Sequence, residues 1–311
     1  MSQFAIHTKN LSRDFGSTRA VDHVNFEVPQ GIVFGFLGPN GSGKTTTIRL
    51  LLGLLDATQG EARVLGFDTR SQSQSIRENC GALLEHTGLY ERMSAEDNLD
   101  FYGRIWHLSA QERQQRIKSL LGELGLWERR GEKVGNWSRG MKQKLAVARA
   151  LLHQPRLLFL DEPTAGLDPV AAAALREDLA ALVEQRGVTV FLTTHNLNEA
   201  ERLCARVAVI DKGKLLATGS PDELRSRQGG QRLEIHGRGF NDTLIKGLNQ
   251  REEIARVTRE NQHLLVDLKE GGESAAIVSF LVQSGVEIEE VRKGKASLEE
   301  AFLTLLEVEN D

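Results

Sequence analysis

Cysteine is nearly absent: of 311 residues only Cys80 and Cys204 carry thiols, and they form no CxxC spacing. A disulfide framework and a cysteine zinc site are thereby excluded. Long apolar runs are missing too. Apolar runs such as 32–37 and 157–160 fall far short of the roughly 20 residues a membrane helix needs, so no membrane span is expected. There is no excess of positive charge, with 39 Lys+Arg against 43 Asp+Glu and a net charge of −4. A bulk polycation for nucleic acid is ruled out. Residues 1–7 carry no basic stretch leading into an apolar core, which makes the cytoplasmic side the expected location. What is present, 40% hydrophobic and 26% charged residues, is the balance of a globular chain with a sizeable core.

Charge is unevenly spread. Residues 231–311 hold 10 basic and 16 acidic side chains, against 29 and 27 in residues 1–230. The change coincides with Gln228-Gly229-Gly230-Gln231, a breaker following the helix start Ser220-Pro221-Asp222-Glu223. Two domains are expected, 1–227 and 231–311, joined at Gly229-Gly230.

In the first, apolar β-rich runs alternate with helical patterns: 32–37 before 45–55, 157–160 before 171–185, and 188–192 before 197–204. Such alternation predicts an α/β fold with a mainly parallel sheet. Ser94 with Asp97, and Ser109 with Glu112, are Ser-x-x-acid capping boxes, so 94–153 is expected to be mostly helical. Residues 207–210 and 215–218 flank Asp211-Lys212-Gly213-Lys214 and read as an antiparallel edge hairpin. The second domain runs strand 232–236, helix 242–248, strand 254–259, strand 263–269, helix 273–283 and strand 286–292. That βαββαβ order predicts a small ferredoxin-like α+β domain. A closing helix is expected from Ser297, with Glu300 three residues on and Leu298, Ala301, Phe302, Leu305 and Leu306 along one stripe.

Gly38-Pro39-Asn40-Gly41-Ser42-Gly43-Lys44-Thr45 matches G-x-x-x-x-G-K-[ST] between an apolar strand and a helix, the context a phosphate loop requires. Its glycines let backbone N–H groups curl around a phosphate, and the helix start near Thr45 and Thr46 adds its positive dipole end. Lys44 supplies a point charge between β- and γ-phosphates, and Thr45 a Mg²⁺ ligand. The apolar run 157–160 ends in Asp161-Glu162, two carboxylates that a strand end bears only beside a metal or solvent. Asp161 is therefore the second candidate Mg²⁺ ligand and Glu162 the candidate base for an attacking water, against the plainer reading of a cap before Pro163. His195, after the strand 188–194, falls at the same sheet edge and is the candidate γ-phosphate contact; a surface histidine is the alternative.

In this order the residues resemble the ATP-binding cassette (ABC) ATPases: phosphate loop with Lys44, Ser138-Arg139-Gly140-Met141 as signature, Asp161-Glu162, Gly166-Leu167-Asp168 as D-loop, and switch His195. The resemblance covers about 1–227 and implies a P-loop NTPase cassette with a mainly parallel sheet, antiparallel edge strands and a helical subdomain at about 85–153. It implies ATP and Mg²⁺ as cofactors and a homodimer or heterodimer of nucleotide-binding domains, each signature facing the nucleotide of the other. Phe15 corresponds to the family's adenine-stacking aromatic, a core phenylalanine being the alternative. Glu85 stands where the family has Gln, at the γ-phosphate and Mg²⁺ sensing position, and the signature departs from Leu-Ser-Gly-Gly-Gln. With the closing segment 296–303, these departures resemble the drug- and sodium-exporter branch.

The implied function is the ATP-hydrolysing subunit of a transporter, peripheral on the inner face of the cell membrane through integral-membrane permease subunits. Leu89, Tyr90 and Met93 are the candidate permease anchors. The alternative is a cassette ATPase acting on nucleic acid or the ribosome, against which stand the single cassette and the lack of heptads. A GTPase is disfavoured because no Asn-Lys-x-Asp motif is present.

Overall fold

A computed structural model describes residues 4–226, 232–269, 272–294, 297–300 and 302–303. The chain divides into two compact units, Met1–Thr218 and Gly219–Asp311. The division falls ahead of the helix at 221–226, whereas the charge balance changes behind it; Gly229-Gly230 lie outside the described residues.

The first unit opens with β1 (Phe4–Phe15), β2 (Thr18–Val24), β3 (Glu27–Pro29) and β4 (Val33–Leu37), followed by α1 (Lys44–Leu51). Then come β5 (Gln59–Val64), β6 (Phe67–Asp68), α2 (Ser73–Asn79) and β7 (Cys80–Leu83). A helical insert holds α3 (Ala95–Ile105), α4 (Ala110–Glu123) and α5 (Arg139–Leu151). The unit continues through β8 (Leu157–Asp161), α6 (Pro169–Arg186), β9 (Thr189–Thr194), α7 (Leu197–Leu203), β10 (Arg206–Asp211) and β11 (Lys214–Gly219).

One sheet runs β11-β10-β4-β9-β8-β7, parallel from β10 through β7. β4 and β9 are buried along their whole length, as expected of strands covered on both faces. Because β4, β8 and β9 run the same way, the residues that follow them gather at one sheet edge. A second, antiparallel sheet, β2-β1-β5-β6 with β3 on β1, is not anticipated from the sequence. Register shifts between Leu11 and Asp14 break the period of two in β1, erasing the usual strand signal. Phe26, between β2 and β3, packs on Phe34, Phe36 and Phe191 of the parallel sheet at centroid distances of 5.9, 5.4 and 6.1 Å. Burying each ring contributes about 2 kcal/mol.

The insert starts as expected: Ser94 Oγ accepts from Asp97 N–H at 3.0 Å, and Ser109 and Glu112 cap each other reciprocally. Between α4 and α5 the chain makes two 3₁₀ turns, Trp127–Arg129 and Val134–Asn136. α1 stops at Leu51, short of the expected 55, because Gly53 turns left-handed at φ 61° and closes it. The β10–β11 turn carries Lys212 and Gly213 at φ 45° and 84°, the two positive angles a tight hairpin turn needs.

The second unit holds α8 (Pro221–Ser226), β12 (Arg232–Arg238), α9 (Asp242–Asn249), β13 (Ile254–Glu260), β14 (His263–Leu268), α10 (Ser274–Gln283) and β15 (Glu287–Gly294). Its antiparallel sheet, ordered β13-β14-β12-β15, is the expected ferredoxin-like arrangement. Leu233, Ile235, Leu264, Val266, Ile277 and Leu281 are buried in its core. Ser297 and Glu300 form the anticipated capping box ahead of helical residues 298–300 and 302–303. Ala301, Leu305 and Leu306 lie outside the described residues.

Candidate functional site

The phosphate loop leaves β4 at Gly38, where backbone geometry dictates residue choice. A Cβ on Gly38 would lie 2.3 Å from the Ile210 carbonyl and 2.5 Å from Ser42 Oγ, so only glycine fits. Gly43, at φ 105°, enters α1 beside the Ala20 carbonyl, where a Cβ would come within 2.4 Å. The loop therefore turns tightly and delivers Lys44 and Thr45 as the first residues of α1.

Lys44 is 6% exposed and donates Nζ–H to the carbonyls of Gly38 at 2.7 Å and Pro39 at 3.0 Å. Its Nζ lies 3.3 Å from Glu162 Oε1, which accepts no hydrogen bond although buried. Ser42 Oγ is likewise buried without a hydrogen-bond partner. A buried ammonium leaning on carbonyls beside such orphan atoms is a cradle with binding capacity left over. Thr45 Oγ1 donates to Asp161 Oδ2 at 2.7 Å, joining α1 to the end of β8.

Thr193, on β9, organises the two carboxylates. Its hydroxyl donates to Asp161 Oδ1 at 2.5 Å and accepts from Glu162 N–H at 3.0 Å. Glu162 sits at φ 50°, a left-handed conformation costing a non-glycine residue of order 1–2 kcal/mol. Its N–H to the Thr193 hydroxyl and carbonyl pins that conformation. The side chain then meets His195, whose Nδ1–H donates to Glu162 Oε2 at 2.8 Å. Sequence reading missed Thr193. Its signal was a polar residue directly after the apolar run 190–192, and it is 0% exposed.

A cleft of about 450 Å³ collects Asn40, Gly41, Gly43, Lys44, Thr45 and Thr46 with Asp161, Glu162, Glu85, Arg139 and Gln143. Ala20, Leu84 and Ala165 complete the wall, and neither Ala20 nor Gln143 had been singled out. Gln143 Nε2 donates to the Pro163 carbonyl at 2.7 Å, holding the turn after Glu162 to α5. Phe15 is not among the lining residues. It is 45% exposed, with the Arg13 guanidinium 4.7 Å over one face of its ring. Ser138 caps α5, its Oγ accepting from Met141 N–H at 3.3 Å, while Gly140 and Met141 stay outside the cleft wall. Asp168 caps α6, accepting from Val170 and Ala171 N–H at 3.0 and 2.9 Å.

The donor set suits Mg²⁺. One hydroxyl and one carboxylate supply hard oxygen ligands and leave positions for phosphate and water, as Mg²⁺ prefers. Among the described residues no cluster of three or more His, Cys, Asp or Glu forms a dedicated metal cage. Nor is any described helix long and apolar enough to cross a membrane.

Known proteins of one family resemble both parts of the chain. Residues 21–165 match the ABC transporter family, and residues 219–306 match the C-terminal domain of DrrA1-3-like ATP-binding proteins. The bacitracin transport ATP-binding protein BcrA of Bacillus licheniformis is 34% identical over 301 residues, covering 97% of both chains. The daunorubicin/doxorubicin resistance ATP-binding protein DrrA of Streptomyces peucetius is 35% identical, covering 97% of this chain and 92% of its own. CbiO1 of Clostridium perfringens, part of the transporter complex cbiONQ, shares the fold at TM-score 0.68 and 24% identity, over 81% of this chain and 96% of its own. The cassette MJ0796, solved as a post-hydrolysis dimer with ADP and Pi, superimposes at TM-score 0.62 and 25% identity, over 69% and 98%.

Proposed function

The chain belongs to the ABC transporter family as an ATP-binding, ATP-hydrolysing subunit, and from that premise we propose that it drives a drug-type exporter through separate membrane subunits. The observation that carries this reading is the convergence of Lys44, Thr45, Asp161, Glu162 and His195 at one edge of the parallel sheet. The full-length likeness to antibiotic transport and resistance subunits, C-terminal domain included, supports the exporter branch.

In this mechanism Lys44 releases its carbonyl partners to hold the β- and γ-phosphates of ATP. Thr45 and Asp161 are the residues that would hold Mg²⁺, which when bound neutralises phosphate charge. Glu162 orients a water and takes its proton, contributing about 10²- to 10⁴-fold in rate. His195, fixed by its bond to Glu162, is the γ-phosphate contact. Glu85, at the cleft wall, senses the γ-phosphate and Mg²⁺ across the start of the insert. Phe15 stacks on adenine through its exposed face. Ser138, Arg139, Gly140 and Met141 meet the nucleotide of a second cassette, and Asp168 lies at that junction. Closure as a homodimer or heterodimer, then reopening after hydrolysis, moves the permease.

In this reading Leu89, Tyr90 and Met93 anchor the permease. Tyr90 and Phe101 are exposed and stack edge-to-face at 5.0 Å, beside exposed Ile105, giving the insert an apolar surface. Such a complex sits on the inner face of the membrane.

Co-expression with the flanking reading frames tests the reading. A detergent-solubilised membrane protein should co-purify and stimulate ATP hydrolysis, and Leu89→Ser with Tyr90→Ser should uncouple it while sparing basal turnover. A chain recovered on ribosomes or nucleic acid overturns the exporter reading and leaves the ATPase.

A further inference from the structure

A buried carboxylate outside the cleft joins the two turns that carry Glu162 and His195. Glu199, on α7, is 1% exposed, and the side chains it bonds, Thr164 and Thr194, carry no charge. Its Oε2 accepts two hydroxyl bonds, from Thr164 at 2.7 Å and Thr194 at 2.9 Å. Thr164 follows Glu162 by two residues, and Thr194 immediately precedes His195. Oε1 is buried and accepts no hydrogen bond, so both donors converge on one atom. Such an arrangement is costly, because a buried carboxylate ordinarily satisfies both oxygens.

The tie is reinforced on each side. Thr194 Oγ1 also accepts from Asn196 N–H at 3.0 Å, and Asn196 Oδ1 accepts from Glu199 N–H at 3.2 Å, locking the chain beyond His195. On the other side, Thr164 belongs to the turn that Gln143 holds through the Pro163 carbonyl. Glu162 and His195 come from two different strand ends, and their 2.8 Å contact requires both turns to be set together. Glu199 is the one side chain among the described residues that bonds both Thr164 and Thr194.

We propose that Glu199 is the positioning residue for hydrolysis: its single oxygen clamps Thr164 to Thr194 and thereby holds His195 against Glu162. It touches no nucleotide and acts through the two threonines. This inference rests on the roles given to Glu162 and His195 above.

The full chain carries the test. Glu199→Ala should lower kcat by on the order of tenfold to a hundredfold, since an error of about 1 Å at reacting groups has that effect, with KM for ATP within about twofold. Glu199→Gln keeps an acceptor oxygen for both hydroxyls and should recover most of kcat. Thr164→Val and Thr194→Val, each isosteric, should each lose part of kcat with unchanged binding of a fluorescent ATP analogue. Wild-type kcat in Glu199→Ala overturns the proposal, as does a Gln variant as impaired as the Ala variant, or a parallel loss of turnover and nucleotide affinity. If thermal melting shows Glu199→Ala unfolded, the valine variants decide, and wild-type kcat in both overturns it. Glu162→Gln runs alongside. Retained hydrolysis there removes the reading of the cleft itself, whereas a dead Glu162→Gln beside fully active Glu199 variants removes the clamp alone.

Discussion

The two units treat buried charge in opposite ways. In the second, Arg232 is 8% exposed and fully answered: Nε and Nη2 donate to Asp267 at 2.6 and 2.9 Å, and Nη1 donates to Glu300 at 2.5 Å. The two carboxylates hold its guanidinium above the ordinary arginine range, with Asp267 the larger influence. In the first, Lys44 is as buried but leans on two carbonyls, with Glu162 Oε1 and Ser42 Oγ left unbonded nearby. A satisfied buried charge is a lock; one surrounded by unfinished hydrogen bonds is a site.

The largest effect tests the site side of this contrast. Glu162→Gln keeps the shape and the contact to His195 but cannot accept a proton, so turnover should fall about 10²- to 10⁴-fold while ATP binding survives. Steady-state hydrolysis with nucleotide-binding assays separates the two, and a closed dimer should accumulate with ATP. Undiminished hydrolysis would remove Glu162 from the role of base.

The lock side breaks next. Arg232→Met leaves Asp267 and Glu300 facing one another without their cation, and unfolding of the second unit should become easier by roughly 3 kcal/mol. Chemical denaturation of the full chain should show that loss in one transition while ATP hydrolysis at moderate temperature is kept. If hydrolysis falls in step, the two units are not energetically separate and the contrast fails.

Thr193→Val sharpens the comparison inside the cleft. The hydroxyl that links Asp161 to Glu162 disappears without a change in volume, leaving a part-buried carboxylate oxygen short of a donor at a cost of about 1 kcal/mol. We expect kcat to drop roughly tenfold and the Mg²⁺ concentration for half-maximal rate to rise. An unchanged Mg²⁺ dependence would show that Asp161 needs no such orientation.

What was legible in sequence follows the same division. The phosphate loop was readable because steric and electrostatic demands fall on eight consecutive residues, and Asp161-Glu162 because two carboxylates close an apolar strand. The ferredoxin-like order was readable from the succession of strand and helix patterns, and β14 alternates along its whole length. Thr193 and Gln143 were not, because their significance lies in partners, Asp161 and Pro163, that only folding brings near. The antiparallel sheet of the first unit was hidden by the bulges of β1.

The smallest effect concerns a half-buried group belonging to neither class. His153 stacks on Trp106 at 4.0 Å and donates Nε2–H to the Cys80 carbonyl at 3.0 Å, leaving Nδ1 buried and unbonded. Burial holds its pKa below the ordinary 6.5, and the nearby Arg116 and Arg149 cations push the same way. Since the folded state binds the proton less readily than the unfolded chain, this histidine favours folding fully above pH 6.5. That advantage is lost as pH falls below 6.5, at roughly 1 kcal/mol per unit until the lowered folded value is reached. His153→Gln retains a donor for Cys80 and does not titrate, so urea midpoints between about pH 5 and 7 should vary less with pH than in the parent chain. An identical slope in both would mean that the Nδ1 proton finds an acceptor on folding.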